Sequence, residues 1–268
     1  MAFSAMKYWK PENIIEDKKV KEAITVLKRY FRKHSKNVYY LKQLEVFFEK
    51  EFFHWITANA INSLLGEGFL KSYELPLGSR TRVKFVFNKS NRYYIRNANK
   101  NIKIIQKYSN PIVARACGKE AEDLFRLALL EKNFKFIGKD INKYKRKEWE
   151  ESKHNLDFII ERDNIVYGCE VKNTYDYIDK KELDMKLRMC DYLGIRPLFI
   201  MRYAPKTYNY EIINRNGYTM IFETQVYPIA LKKLVKEIKN NLKLPVDCPS
   251  SIPSGIIERF IKWHKKNL

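Results

Sequence analysis

The sequence predicts a mixed α/β chain in two domains, and three observations support that prediction. Apolar residues at helical spacing alternate along the chain with short apolar runs bounded by turn residues, which indicates helices and strands together. Hydrophobic residues make up 45% and aromatic residues 14% of the 268 positions, enough to build packed cores. A polar stretch from Asn97 to Pro111 is typical of a linker, and it divides the chain into residues 1–110 and 111–268.

The first domain is predicted to hold three helices and a hairpin. The predicted elements are helices over residues 17–34, Leu44–Phe48 and Trp55–Leu65, and strands over Phe69–Leu75 and Thr81–Phe87. Gly66 and Gly68 end the third helix, and Trp55 lies on its apolar face. This order of elements resembles winged helix-turn-helix modules over about residues 17–90.

In such modules the third helix enters the major groove of DNA and the hairpin wing touches the backbone. The resemblance implies base contacts for Asn59 and Asn62, exposed beside Thr57 and Ser63, because asparagine can read adenine edges. Residues 51–70 contain no Lys or Arg, however, so this helix is a poor phosphate-binding surface.

Basic residues concentrate on the predicted wing instead. Lys71, Arg80, Arg82 and Lys84 are the expected contacts to the phosphate backbone. The alternative interpretation is a solvated basic face, with the winged module serving protein contacts or dimerisation.

The second domain is predicted to be a mixed central sheet flanked by helices. Its predicted elements are a helix over Gly118–Lys132, a strand over Phe134–Gly138, a mobile charged loop over Lys139–Lys153, two strands around a turn at Glu161–Asn164, a helix over Asp179–Leu193, a strand over Pro197–Met201, further strands within residues 209–223, and helices over Tyr227–Lys239 and Ile256–Lys265. The helix before Pro197 predicts a crossover to a parallel strand. Lys186 on that helix is interpreted as a surface lysine.

Three charged residues interrupt the two apolar strands around the Glu161–Asn164 turn. Asp157 begins the first strand, and Glu170 and Lys172 lie near the end of the second. Side chains two apart on a strand share a face, and the turn brings Asp157 back beside that face. Two carboxylates and an ammonium group so close together are costly unless a cation or a substrate compensates.

The pattern of Asp157 followed by Glu170, Val171 and Lys172 resembles the PD-(D/E)XK nuclease superfamily. The resemblance implies that Asp157, Glu170 and the backbone carbonyl of Val171 bind Mg²⁺ or Mn²⁺, and that Lys172 positions or activates the attacking water. Such cations prefer oxygen ligands and retain several waters. The run Gly118–Glu122, followed by Asn133 and Phe134, resembles the opening helix and strand of superfamily members, whose helix often carries a further glutamate ligand. This resemblance implies that role for Glu122.

Each assignment has a structural alternative. An ExK pattern is common in a lysine-rich chain, where it can be an ordinary ion pair on a strand surface. Glu122 can equally be a helix-surface residue that pairs with Lys119 or Arg126.

The charge balance favours a polyanionic partner. The net charge is +21 and the isoelectric point about 9.6, which favours nucleic acid before a membrane surface. Residues 1–110 carry 22 basic and 9 acidic residues (+13), against 30 and 22 (+8) in residues 111–268. Four widely spaced cysteines without a CxxC motif predict buried free thiols, and with no long apolar run a cytoplasmic protein is expected.

The sequence therefore predicts a metal-dependent DNA endonuclease, a hydrolase of DNA repair, recombination or restriction. One alternative is a non-catalytic DNA-binding or scaffolding protein in which the nuclease fold supplies only packing. Another is an RNA endonuclease. A homodimer is also expected, because one catalytic site cuts one strand of a duplex.

Overall fold

The structure, a computed structural model, describes residues 18–79 and 81–268 and shows a mixed α/β fold. It contains two compact units. The first comprises the described residues up to Asn110 together with Lys236–Leu244, and the second comprises Pro111–Val235 with Pro245–Leu268. The sequence analysis assigns all of 111–268 to one domain, whereas the structure groups Lys236–Leu244 with the first unit, where the apolar side chains of this segment are buried.

The first unit combines helices with a small antiparallel sheet. Its elements are α1 (Lys18–Lys33), β1 (Val38–Tyr40), α2 (Leu41–Phe48), α3 (His54–Gly66), β2 (Leu70–Pro76), β3 (Arg82–Asn88), α4 (Tyr94–Tyr108) and a π-helical turn (Ile238–Leu242). The sheet has the order β1-β3-β2. Helices α1, α2 and α3 pack around fully buried Leu27, Phe31 and Leu44, and Val86 of β3 joins this core.

Helix α4 replaces the linker that the sequence predicts around Asn97–Pro111. The segment is mostly polar, but it contains an apolar stripe. Ala98, Ile102 and Ile105 follow one another at spacings of four and three residues, and all are buried. A stripe of this kind makes a helix stable by packing even where most of its residues are polar.

The orientation of α3 also differs from the prediction. Thr57, expected on the exposed face, is fully buried, whereas Trp55, expected on the apolar face, is 52% exposed. The helix packs through Ile56, Thr57, Ala60, Ile61 and Leu64, a set rotated relative to the one that the sequence favoured. A short helix with apolar residues on several sides does not define its buried face by spacing alone.

The second unit is built on a five-stranded mixed sheet. Its elements are α5 (Pro111–Leu130), β4 (Lys135–Ile141), β5 (Lys143–Tyr144), β6 (Lys147–Glu148), β7 (Leu156–Arg162), β8 (Ile165–Lys172), α6 (Lys180–Leu193), β9 (Arg196–Met201), α7 (Lys206–Ile213), β10 (Tyr218–Ile221), β11 (Gln225–Val226), α8 (Lys232–Glu237, whose last two residues belong to the first unit), β12 (Val246–Asp247) and α9 (Ser254–Lys266). The strand order is β10-β9-β8-β7-β4. Strands β4, β7 and β8 are antiparallel, and β8, β9 and β10 are parallel. The predicted crossover through α6 to a parallel strand is confirmed.

Two segments of this unit differ from the prediction. Residues 209–223 were expected to be strands, but α7 occupies Lys206–Ile213 and only β10 follows, because a parallel return from β9 requires a crossover. The charged loop at 139–153 contains the short β5–β6 hairpin and is anchored by Trp149, which is buried and donates its indole N–H to Ser152 Oγ at 2.9 Å.

All four cysteines are free thiols; Cys117, Cys169 and Cys190 are buried as predicted, and Cys248 is half-buried. None of the helices in the described ranges has the length and apolar character needed to cross a bilayer.

Candidate active site

The charged residues of the β7–β8 hairpin lie where these two strands separate. Backbone pairing ends with Phe158 opposite Cys169, although β7 begins at Leu156 and β8 continues to Lys172. Beyond this point the Val171 N–H donates a hydrogen bond at 2.6 Å to Oδ2 of the Asp157 side chain instead of to a backbone carbonyl of β7. This hydrogen bond holds the Asp157 carboxylate beside Glu170–Lys172.

Glu170 is a buried carboxylate between two lysines. Its side chain is 3% exposed, its Oε1 lies 3.1 Å from Lys172 Nζ, and its Oε2 lies 2.5 Å from Lys186 Nζ. Lys186 comes from α6 and also donates to the backbone carbonyl of Asn155. Two ammonium groups offset the cost of burying one carboxylate.

Lys186 is therefore a correction to the sequence analysis, which placed it on the surface. It is 4% exposed and forms part of the cluster. The sequence separates Lys186 from Glu170 by sixteen residues, and only the packing of α6 on the sheet brings the two together.

Lys172 has a second carboxylate partner that the sequence analysis did not identify. Its Nζ lies 2.6 Å from Glu182 Oε1 in the first turn of α6. Burial lowers the pKa of Lys172, but the Glu170 and Glu182 carboxylates outweigh burial and raise that pKa well above its usual range. Asp179, the N-cap residue of α6, precedes Glu182 by three residues, a spacing typical of a capping box that gave no signal of a site.

Asp157 has a pKa raised from 3.8 to about 7. Burial is the main cause and the negative charge of Glu170 the next, while the Val171 N–H lowers the pKa. Glu122 on α5 also raises it, so this predicted site residue acts electrostatically on Asp157. Glu122 itself pairs with Lys139 at 3.0 Å, and not with Lys119 or Arg126, the two partners that the alternative interpretation named.

These residues fit a hard divalent cation in their chemistry. The described ranges contain no cluster of three or more His, Cys, Asp or Glu side chains arranged to hold a metal. Mg²⁺ and Mn²⁺ sites in phosphoryl-transfer proteins commonly use only one or two carboxylates and complete the shell with water and phosphate oxygens. Burial and, next to it, the negative charge of Glu170 raise the pKa of Asp157, and a bound cation would offset both effects.

Asn173 fixes the chain immediately after β8. It is 5% exposed, and its Nδ2 donates to the carbonyls of Cys117 at 2.9 Å and Val226 at 2.7 Å. Its Oδ1 accepts from the Val226 N–H at 2.9 Å. One amide thus ties α5 and β11 to the end of the strand that carries Glu170 and Lys172, a role that no local sequence pattern indicated.

The predicted nucleic-acid contacts of the first unit do not form one surface. Lys71 pairs with Phe87 across β2 and β3, and the alternation of side chains places Lys84 on the opposite face of the hairpin. Arg82 is on the same face as Lys84 but binds Glu74 at 3.3 Å. Arg80 lies outside the described residues, and Asn59 and Asn62 are half-exposed on α3.

Comparisons of the chain with protein-family models, with curated proteins and with solved structures find no match. The chemistry and contacts of Asp157, Glu170 and Lys172 therefore carry the proposal that follows.

Proposed function

We propose that this chain is a metal-dependent endonuclease that hydrolyses DNA phosphodiester bonds, with a winged-helix module preceding a PD-(D/E)XK nuclease core. The observation that carries the proposal is the convergence of Asp157, Glu170 and Lys172 where β7 and β8 separate. A positive charge of +21 supports a nucleic-acid substrate, and DNA is proposed because winged-helix modules bind duplex DNA.

Asp157 and Glu170 would hold Mg²⁺ or Mn²⁺, with the carbonyl of Val171 as a further ligand and Glu122 as an outer one. When bound, such an ion stabilises negative charge at the phosphoryl group and lowers the pKa of a bound water.

Lys172 acts as a cation rather than as a base. Its carboxylate partners raise its pKa, so the side chain keeps its proton at neutral pH and has no lone pair with which to accept one. A protonated ammonium group at this position stabilises the negative charge that develops on phosphate oxygens in the transition state. Lys186 orients the Glu170 carboxylate by binding its other oxygen.

The first test is cleavage of labelled DNA by the purified protein, on duplex, single-stranded, flap and four-way-junction substrates, with Mg²⁺, Mn²⁺ or EDTA. We expect cation-dependent cleavage that Asp157→Asn and Lys172→Met each reduce by roughly 10²-fold or more, as for the loss of a transition-state contact. Lys181→Ala is the matched control, because Lys181 is an exposed lysine on α6, near Glu182. Its rate should equal that of the unmodified protein.

Equal cleavage by Asp157→Asn and the unmodified protein would contradict the site. Cleavage confined to RNA would keep the chemistry and change the substrate. Absence of any cleavage, with tight and salt-sensitive DNA binding retained, would favour the non-catalytic DNA-binding protein.

A further inference from the structure

The first unit contains a basic cavity whose lining includes none of the residues assigned to the recognition helix and wing. It has a volume of about 710 Å³ and is lined by Lys36, Tyr93, Arg96, Asn97 and Lys100. Cavities of roughly 300–1,000 Å³ are typical of ligand sites, but those sites are mainly apolar. Three cations and an asparagine in the lining favour an anionic ligand instead.

The three cations of this cavity are available to a ligand. None of Lys36, Arg96 and Lys100 pairs with a carboxylate in the part of the chain that the structure describes. Arg96 and Lys100 are four residues apart on α4, so they share one exposed face of the helix. Residues 89–110 hold six Lys or Arg and no Asp or Glu, so no nearby acid in this segment offsets their charge.

Hydrogen bonds hold the two walls of the cavity together. The Asn91 side chain is buried, and its Nδ2 donates to the carbonyls of Lys36 at 2.9 Å and Asn37 at 3.3 Å. Its Oδ1 accepts from the Tyr93 N–H at 2.9 Å. One residue therefore connects the turn after α1 to the start of α4.

Helix α4 is anchored along the face opposite its basic residues. Tyr94 stacks on Phe87 at 4.3 Å between ring centroids, and Tyr108 Oη lies 2.6 Å from Tyr40 Oη. The cationic face is thus presented by a helix that is packed at both ends, which favours a preorganised site.

Tyr93 indicates which anion fits. Its ring is 73% exposed and lies in the lining beside the three cations. Basic side chains that follow a phosphate backbone, together with an aromatic ring on which a base stacks, are the combination that binds single-stranded nucleic acid. Bases within a duplex are already stacked on each other and cannot reach such a ring.

We propose that the cavity between the turn after α1 and the start of α4 binds unpaired nucleotides of single-stranded nucleic acid. Lys36, Arg96 and Lys100 contact the phosphates, and Tyr93 stacks on a base. Binding at this site does not require cleavage, so the proposal can be tested separately from the nuclease proposal.

The test is fluorescence anisotropy with a labelled oligothymidylate, in EDTA and over a range of KCl concentrations. We expect Tyr93→Leu to weaken binding roughly fivefold to a hundredfold, the range for loss of one base stack, and Tyr93→Phe to retain it. The double variant Arg96→Ala/Lys100→Ala should also weaken binding and reduce the slope of log affinity against log salt by about 1.4, from two lost phosphate contacts.

The matched control is Lys18→Ala/Lys21→Ala, which removes two exposed cations from α1 of the same unit and should change affinity and slope far less. Circular dichroism of each variant checks that the exposed substitutions leave the fold intact. Unchanged binding by Tyr93→Leu would overturn the proposal, as would equal losses for the two double variants. If the variants lose as much affinity for a blunt duplex of the same length, the site contacts the duplex backbone and the single-strand proposal is wrong.

Discussion

Burial and a neighbouring negative charge both oppose the ionisation of Asp157 in the folded chain. Burial and Glu170 raise the pKa of its carboxyl from 3.8 to about 7, so deprotonation costs more free energy in the folded chain than in the unfolded chain. A group whose pKa is higher in the folded chain stabilises the fold below its unfolded pKa, and that contribution is lost as pH rises through the folded value. The free energy of unfolding should therefore lose this contribution between about pH 4 and pH 7.

Asp157→Asn should stabilise the cation-free protein more at pH 8 than at pH 5, with a difference of at most about 3 kcal/mol between the two pH values. The amide removes the ionisable group but keeps an oxygen that accepts from the Val171 N–H. Thermal unfolding in EDTA at the two pH values measures the effect, with Glu150→Gln, an exposed residue of the same unit, as control. If Asp157→Asn stabilises the protein equally at both pH values, the negative charge of Asp157 does not destabilise the fold. Added Mg²⁺ should stabilise the unmodified protein and not the variant, because a ligand stabilises only a state that binds it.

At the scale of elements, α9 is joined to the β7–β8 hairpin by one buried histidine. His264 is 0% exposed; its Nδ1 lies 2.8 Å from Tyr167 Oη and its Nε2 lies 2.9 Å from Asp163 Oδ2. Asp163 and Asn164 both have positive φ, the backbone of a two-residue hairpin turn that favours Asn and Asp. The turn residue Asp163 thus also binds the last helix through His264. Burial of the Tyr167 hydroxyl raises its pKa to about 12.

We predict that His264→Leu lowers the free energy of unfolding by about 1–3 kcal/mol, because the buried Tyr167 hydroxyl loses its hydrogen bond with His264. The double variant His264→Leu/Tyr167→Phe should lose less than the sum of the two single variants, since it removes both polar groups. Urea unfolding of the four proteins measures the coupling. Strictly additive losses would show that the hydrogen bond contributes nothing specific.

At the scale of the whole molecule, the chain passes from the second unit to the first and back. Lys236–Leu244 belongs to the first unit, and within it Ile238 and Leu242 are fully buried. Gln43, which is 2% exposed, donates its amide to the Leu242 carbonyl at 2.6 Å. Lys107 of α4 pairs with Glu237 at 2.7 Å.

Cutting the chain between Asn110 and Pro111 should therefore damage both parts. A fragment of residues 111–268 would expose Ile238 and Leu242, and we expect it to bind the dye ANS and to aggregate. A fragment of residues 1–110 would leave the buried Gln43 amide unpaired, at a cost of about 1–3 kcal/mol. Adding a peptide of residues 236–244 to the second fragment should raise its melting temperature, and a peptide with Leu242→Asp should not. A stable, ANS-negative fragment 111–268 would contradict this description.

Local patterns in the sequence determined much of the second unit and the position of its charged residues. The apolar runs of β7 and β8, the polar turn between them and the crossover helix are each patterns of a few residues, so they can be recognised without knowing the fold. They were enough to predict that Asp157 lies beside Glu170 and Lys172. The function of that cluster stays a proposal.

Tertiary packing alone decided the rest, because it joins groups that are distant in sequence. Lys186 and Glu182 enter the cluster only through the packing of α6 on the sheet, and Asn173 acts through strands and helices more than fifty residues away. The polar residues of α4 outnumber its apolar stripe, so its composition predicts a linker. The stripe stabilises a helix only because it packs against the β1-β3-β2 sheet. Burial and the placement of opposite charges depend on these long-range contacts, whereas propensity and spacing do not.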